Sequence, residues 1–562
     1  MKPKFLSSQN PFRTAIFIAA ASVTSAHAQT TLSVGDIQVV GVTGDANDSF
    51  SFVLWKDISS GTVVRFMDQS FTNATTGVLG TENDMSLTFT SAATAGSVIH
   101  VEDLVTTVFP SGVTATKSGS LSGISASGDQ VFAYQGTAMG SGTDFTGRTL
   151  LYGFNIADTN WLSTGTATSN ASYLPTAISA MDNNIDSGNF DNADYSGART
   201  GLTTGLYRAA VGNIANFAQS DARFNLTTTQ FAINSSASVN WDANGSTAGD
   251  GGAGTWDSAT QSRFKNGAAG TTFIRWVNST TGNDHAAVFG GTAGTVSVGA
   301  SGVTASGLTF DVTGYTVQSN IVTLAGTTPT ISVTTAAHSA IISSTLAGSN
   351  GLTKSGAGTL TLTVGNTYTG TTSVNSGTLA LAINGNISTS VTTVNIGGTL
   401  IGTGTTGTVT VKSGGTLAPG NSPGILNAGN TILESGSTLS IEINGATLGT
   451  GYDQLNVVGS ASLAGLLSIT MGSFTPTDGS LFFILANDVT DQTSGTFSNA
   501  SVNGNTYNLG GQDFQISYFG NHTGSGAGTF TGGNDVVLMA IPEPTSALLG
   551  GLGLLALLRR RR

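Results

Sequence analysis

In the second half of the chain, apolar and hydroxyl-bearing residues alternate in a pattern that recurs at a loose interval. Residues 351–381, GLTKSGAGTLTLTVGNTYTGTTSVNSGTLAL, hold one and a half units of it. Thr359, Leu360, Thr361 and Leu362 alternate with a period of two, as in a half-buried strand. Gly, Asn and Ser then separate this run from the next one. The tag Gly-Thr-Leu closes each unit, at 358–360 and at 377–379. The closing Leu recurs at Leu360, Leu379, Leu400, Leu417 and Leu439, at intervals of 19, 21, 17 and 22. An apolar residue precedes it by five or six positions at Val374, Val394, Val411 and Leu433. A loose period of this size predicts a right-handed parallel β-helix with about three short strands per coil. Coils would stack ~4.8 Å apart, with Leu and Val inward and Thr, Ser and Asn outward or in ladders. Disordered low-complexity sequence would not keep Leu in phase with the turns.

The first body, residues 29–232, has a different rhythm. Apolar runs bounded by turn residues stand at 37–42, 50–55, 62–67, 87–90, 97–101, 130–134 and 150–154. Short strands at this spacing predict a sandwich or Greek-key domain.

Composition narrows the picture. Charged residues make up 9% of the 562, against about 25% in ordinary soluble domains. Gly contributes 77 residues, many of them at turn positions. There is no Cys, so neither disulfides, thiolate nucleophiles nor Cys-based zinc sites are available. Setting aside both termini leaves 12 basic and 30 acidic residues, a net charge of −18. That balance argues against nucleic-acid binding, which needs Lys and Arg for phosphate contacts.

The two termini read as addresses. Lys2, Lys4 and Arg13 form a positive n-region, 15–23 is apolar, and Ala26-His27-Ala28 fits an A-x-A cleavage site. Cleavage is expected between Ala28 and Gln29. At the other end Pro542-Glu543-Pro544 precedes the apolar run 547–558 and then Arg559 to Arg562. Twelve helical residues cover roughly 18 Å, short of a hydrocarbon core of ~30 Å. The Arg cluster would stay cytoplasmic by the positive-inside rule. A simple C-terminal anchor is the plain alternative. This tail resembles the PEP-CTERM sorting signal, with its Pro-Glu-Pro motif, hydrophobic helix and terminal Arg cluster in order. The resemblance implies an exosortase-type sorting enzyme as partner, processing near Pro542, Glu543 and Pro544, and transfer to the surface or an exopolysaccharide matrix. It also implies membrane contact through the helix before processing.

Residues 240–326 carry Asn240-Trp241-Asp242, Gly254-Thr255-Trp256-Asp257, Trp276, Asp284-His285 and Gly307-Leu308-Thr309-Phe310. They resemble the lead-in to autotransporter-associated β-strand repeats, and 351–379 resembles the repeat itself. From Gly451 onward, Tyr452-Asp453-Gln454-Leu455-Asn456-Val457 looks like the end of an autotransporter passenger. No run of amphipathic barrel strands follows Ala540, so the resemblance stops short of self-transport. The expected division is a signal peptide at 1–28, a β-rich domain at 29–232, a parallel β-helix at 233–540 and a sorting segment at 541–562. The fold class is all-β: a sandwich-like domain, then a right-handed parallel β-helix, then a short hydrophobic helix.

Candidate chemistry is sparse. Asp182, Asp186, Asp191 and Asp194 in 182–197 could offer oxygen ligands to Ca²⁺, but without EF-hand spacing, and a solvated loop is the reading adopted. Gly402–Gly407 fits G-x-G-x-x-G and Gly420–Gly424 fits G-x-S-x-G. The first lacks a following helix and the second has Pro423 where a nucleophile elbow needs one, so both read as turns. From 351 to 470 the charged residues are Lys354, Lys412, Glu434, Glu442 and Asp453, too few for lyase or hydrolase chemistry on the coil. Asp45, Asp48, Asp68 and Glu102 remain as unranked carboxylates in the first body. The expectation is a non-catalytic exported surface or matrix protein, without cofactor, whose coil is a stalk displaying the first domain. The alternatives are a carbohydrate-binding adhesin, or a glycan hydrolase with its site in 29–232.

Overall fold

The computed structural model describes residues 28–541, apart from 46–47, 81–83, 105, 122, 126–127, 141, 157–160, 181, 224, 247–248 and 489–490. Pro542, Glu543, Pro544, the C-terminal helix and all of the signal segment before Ala28 lie outside the described residues.

The first body is two six-stranded sheets. One runs Phe217–Ser220, Asn192–Tyr195, Ile37–Thr43, Ser49–Leu54, Val98–Glu102, Thr106–Val108, antiparallel throughout. The other runs Asn184–Asp186, Thr149–Ile156, Asp129–Gln135, Val63–Met67, Asp84–Phe89, Ala115–Gly119. In it Asn184–Asp186 lies parallel to Thr149–Ile156 and the other pairs are antiparallel. The seven apolar runs read from the sequence all form strands. Phe50 and Phe52 from the first sheet meet Phe66 of the second, with ring centroids 4.8 and 4.7 Å apart. Alternation places these rings on the inner faces, where their burial helps hold the two sheets together.

The segment 182–197 departs from the loop expectation. It supplies an edge strand to one sheet and Asn192–Tyr195, wholly buried, to the interior of the other. Its Asp and Asn content hid it, because these residues are depleted in strands unless their side chains find partners.

A short helix, Thr204–Val211, joins the first body to the coil. Thr203 caps it by accepting from the Leu206 amide and also pairs with Nε2 of His285, 2.7 Å away in the first coil. Asn216 exchanges two hydrogen bonds with the Phe273 backbone, at 2.8 and 2.7 Å. Arg275 pairs with Asp182 across the same junction. Trp241, Trp256, Phe264, Trp276 and Phe289 fill the coil beneath it. One hydrophobic cluster therefore runs without a break from Leu32 to Ala540.

The coil is a parallel β-helix with three faces. Two long sheets of 13 and 10 strands form two faces, and a three-stranded and a nine-stranded sheet form the third. The predicted Leu stack is present, Leu360 over Leu379, Leu400, Leu417 and Leu439, extended by Leu467. Each of those five predicted residues is 0% exposed. Val374, Val394, Val411 and Leu433 stack in register on the neighbouring face. Outward, Thr359, Thr378, Thr399, Thr416 and Thr438 form a half-buried column beside the Leu stack. Asn375–Asn395 and Asn427–Asn456 form amide ladders at 2.8 Å.

Some hydroxyls point inward. Thr372, Thr392 and Thr431 are fully buried at one corner of the coil. Tyr368 and Thr372 share a hydrogen bond of 2.8 Å, as do Thr372 and Ser390, and Ser390 donates to the Gly370 carbonyl at 2.7 Å. A hydroxyl inside a core is tolerable when it is bonded in this way.

The C-terminal end closes differently. Leu481–Asn487 continues the coil on one side and pairs antiparallel with Asp535–Ala540 on the other. The 10-stranded face ends at Leu466–Met471. There Asn499 takes the place of a further strand: its side-chain amide donates to the Leu467 carbonyl at 2.8 Å and its Oδ1 accepts from the Leu467 amide at 3.0 Å.

Candidate functional site

The four candidate carboxylates of the first body do not assemble into one site. Asp45 accepts from Asn192 at 2.9 Å. Glu102 ends its strand exposed to solvent. Asp68 is wholly buried. Asp48 lines a cleft of about 330 Å³ together with Gly123, Ser125, Asp129 and Asn170. Asp129 was not singled out in the sequence; its only signal is a Gly-Asp-Gln turn before a strand. Burial pushes the Asp48 carboxyl above its ordinary range. Both carboxylates hold adjacent backbone amides: Asp48 accepts from Ile124 at 2.8 Å and Asp129 from Ser125 at 3.1 Å. Asp129 also accepts from the amide and side chain of Gln130. Carboxylates committed in this way clamp the 123–125 turn.

The four Asp residues of 182–197 also diverge. Asp182 goes to Arg275, Asp186 accepts from Gly188 and Trp161, and Asp194 accepts from Thr227. Burial raises the carboxyl of Asp191, reinforced by Asp45 and Asp221. Among the described residues no group of three or more His, Asp or Glu could hold a metal ion. Asp186, Ser187, Gly188, Asn189, Phe190, Ile214 and Gln219 do line a second cleft, of about 430 Å³. Phe190, 38% exposed, presents its ring there. Trp55, Tyr134, Tyr152, Tyr195 and Tyr207 are all buried.

The two glycine motifs are turns of the coil. Gly402 ends the strand Gly398–Gly402 with φ 124°, and a two-residue strand, Thr405–Thr406, follows in place of a helix. Ser422 is exposed and leads into the strand Ile425–Ala428. The carboxylate near this second turn is Asp453, which accepts from the Gly424 amide at 2.7 Å and the Glu442 amide at 2.8 Å. Burial raises its carboxyl to about 6. Between pH 4 and 6 the folded chain therefore binds more protons here than the unfolded chain does. Its contribution to stability falls as pH rises through that window. Wild type is expected to lose more thermal stability than Asp453→Asn on going from pH 4.5 to 7, measured by thermal melts of both proteins.

Lys354 is the residue whose place the sequence reading missed. Counted among the coil's surface charges, it is 0% exposed and stands inside, between Ile331 and Val374 in an inward column. Its Nζ donates to the carbonyls of Ser355, Gly356 and Ser376 at 2.8, 2.9 and 3.1 Å. Position parity was the available signal, since Leu352 and Lys354 share one face of the strand. Burial pulls its ammonium down to about 8.

The sequence comparisons fall on these same elements. A family model described as the passenger-associated-transport-repeat matches residues 352–381, the coils that hold Lys354, Leu360 and Leu379. A model of the PEP-CTERM protein-sorting motif matches residues 540–562. The chain is also 38% identical over 143 residues to the adhesin BmaC autotransporter of Brucella suis biovar 1 (strain 1330). That stretch is 25% of this chain and 4% of the relative, so the chain spans a small fraction of the relative's length. The nearly all-β coil, the repeat and the sorting motif define an exported, cell-surface protein with autotransporter-type repeats.

Proposed function

We propose that this is a non-catalytic display protein. Residues 233–540 are a rigid shaft, residues 29–232 are the domain it presents, and an exosortase-type enzyme acts at Pro542, Glu543 and Pro544. The observation that carries this reading is the hydrophobic cluster that, among the described residues, continues from Leu32 to Ala540 across the boundary between domain and shaft. Ten stacked strands on one face give a shaft of roughly 43 Å at ~4.8 Å per step. The adhesin description of the relative supports display over catalysis.

The test is surface labelling of intact cells that express the full chain or a chain lacking residues 542–562. The full chain is expected at the surface, and the truncated chain inside the envelope. Equal surface labelling of the two would remove the sorting step from this reading. A second reading, carbohydrate binding by the first domain, is favoured by the cleft in which Phe190 offers an apolar ring beside Asp186 and Gln219. Sugars stack an apolar face on such rings while carboxylates and amides take their hydroxyls.

A further inference from the structure

The chain contains no Cys, so no disulfide fastens the junction where the first domain meets the shaft. At that junction three charged side chains are shut away together. In this antiparallel strand pair Trp241 stands opposite Phe264 and Asn240 opposite Lys265, so Asp242, two residues on from Asn240, shares a face of the pair with Lys265. The Lys265 side chain is 4% exposed, that of Asp242 0% and that of Asp250 14%. Lys265 Nζ lies 3.4 Å from Asp242 Oδ2 and pairs with Asp250 Oδ1. Neither of those oxygens has a hydrogen-bond partner elsewhere.

Trp241 and Phe264, the sequence neighbours of Asp242 and Lys265, pack together on the other face of the strand pair. Phe264 packs on Trp241 and Trp256 with centroids 5.3 and 5.9 Å apart. Asp250 alone faces an opening, of about 280 Å³, shared with Asn244, Gly251 and Thr292. A buried amine held against one carboxyl, with a second carboxyl in reach, brings the reacting atoms and a proton carrier together. On amide formation two charges leave a low-dielectric site, and one water is released.

We propose that Lys265 and Asp250 condense to an intramolecular amide, with Asp242 carrying the protons. The Lys265 ammonium first passes a proton to the Asp242 carboxylate. The freed amine attacks Cγ of Asp250, forming the N–C bond. Asp242 returns its proton to the departing oxygen while the nitrogen gives up a second proton to it, and a C–O bond breaks. Ammonium plus carboxylate becomes amide plus water, with no oxidant or co-reactant, and the water leaves through the opening at Asp250. Burial pulls the Lys265 ammonium down, but bonds to Asp250 and Asp242 carry it above its ordinary range.

The full chain, recovered after export and digested under denaturing conditions, tests this by peptide mass spectrometry. The expected result is a branched peptide joining the segments that hold Asp250 and Lys265, lighter by one water than their sum. Asp250→Ala and Lys265→Arg should give linear peptides only. Asp242→Asn should slow branching at least tenfold while circular dichroism shows the β signal intact. Linear peptides alone from the wild-type chain would overturn the proposal. Branching of Asp242→Asn at the wild-type rate would remove Asp242 from the step.

Discussion

Truncating Leu400 to Ala is expected to cost about 3 kcal/mol of folding free energy, while Thr399→Ala stays within about 0.5 kcal/mol. The two residues are sequence neighbours on one strand and face opposite sides of it. Leu400 is fully buried between Leu379 and Leu417 in the central stack. A cavity there is walled by the coils above and below, which cannot collapse into it without breaking their own register. Thr399 stands in the outward column, where loss of a methyl and a hydroxyl costs little. Stability in stacked coils depends on nearest-neighbour interfaces, so one cavity weakens two of them. Urea titration of the two variants by circular dichroism measures the difference. Equal midpoints would contradict the assignment of inner and outer columns.

Lys354→Met is expected to cost about 3 kcal/mol or more, although Met is more apolar and close in length. The ammonium serves three carbonyls at the turn between two faces, and Met would leave all three without this donor. Removing one partner from a buried polar group costs its full desolvation, which outweighs the gain in apolar burial. The pH dependence supplies a separate check. Burial lowers the folded ammonium to about 8, below the ordinary Lys range. Above pH 8 the unfolded chain therefore holds a proton that the folded chain has released, and stability rises with pH up to the ordinary Lys value. Urea midpoints at pH 7.5 and 9.5 should show a wild-type gain larger than that of Lys354→Met.

The sequence made the coil legible where one residue type kept phase. Leu360, Leu379, Leu400, Leu417 and Leu439 sit in one column, and turns between them vary by only a few residues. Earlier coils carry the same architecture in mixed residues. Tyr315 lies opposite Ala340 in the same column, a large side chain compensating a small one, and no single-residue period shows it. Later coils are stretched by the insertion at 444–453, which breaks the spacing but not the register of Ile441 on Ile469. In the first body, the strands rich in Val and Phe were readable and those rich in Asn and Asp were not. Asn192–Tyr195 forms an interior strand in which Asn192 Nδ2 donates to Asp45 and Asp194 Oδ2 accepts from Thr227, partners far away in sequence. Asp129 was invisible for the same reason, since its place beside Asp48 is set by the 123–125 turn, not by spacing.

Asn499 carries a consequence for how such proteins crowd a surface. Parallel coils present identical hydrogen-bonding rails at their ends, and an open rail would accept the first strand of another copy. A single side-chain amide satisfies both groups of Leu467 at the end of the 10-stranded face. It terminates that rail from within the chain. The length of the shaft is thus written once per polypeptide, and neighbouring molecules stay separate projections instead of growing into a shared filament from this edge.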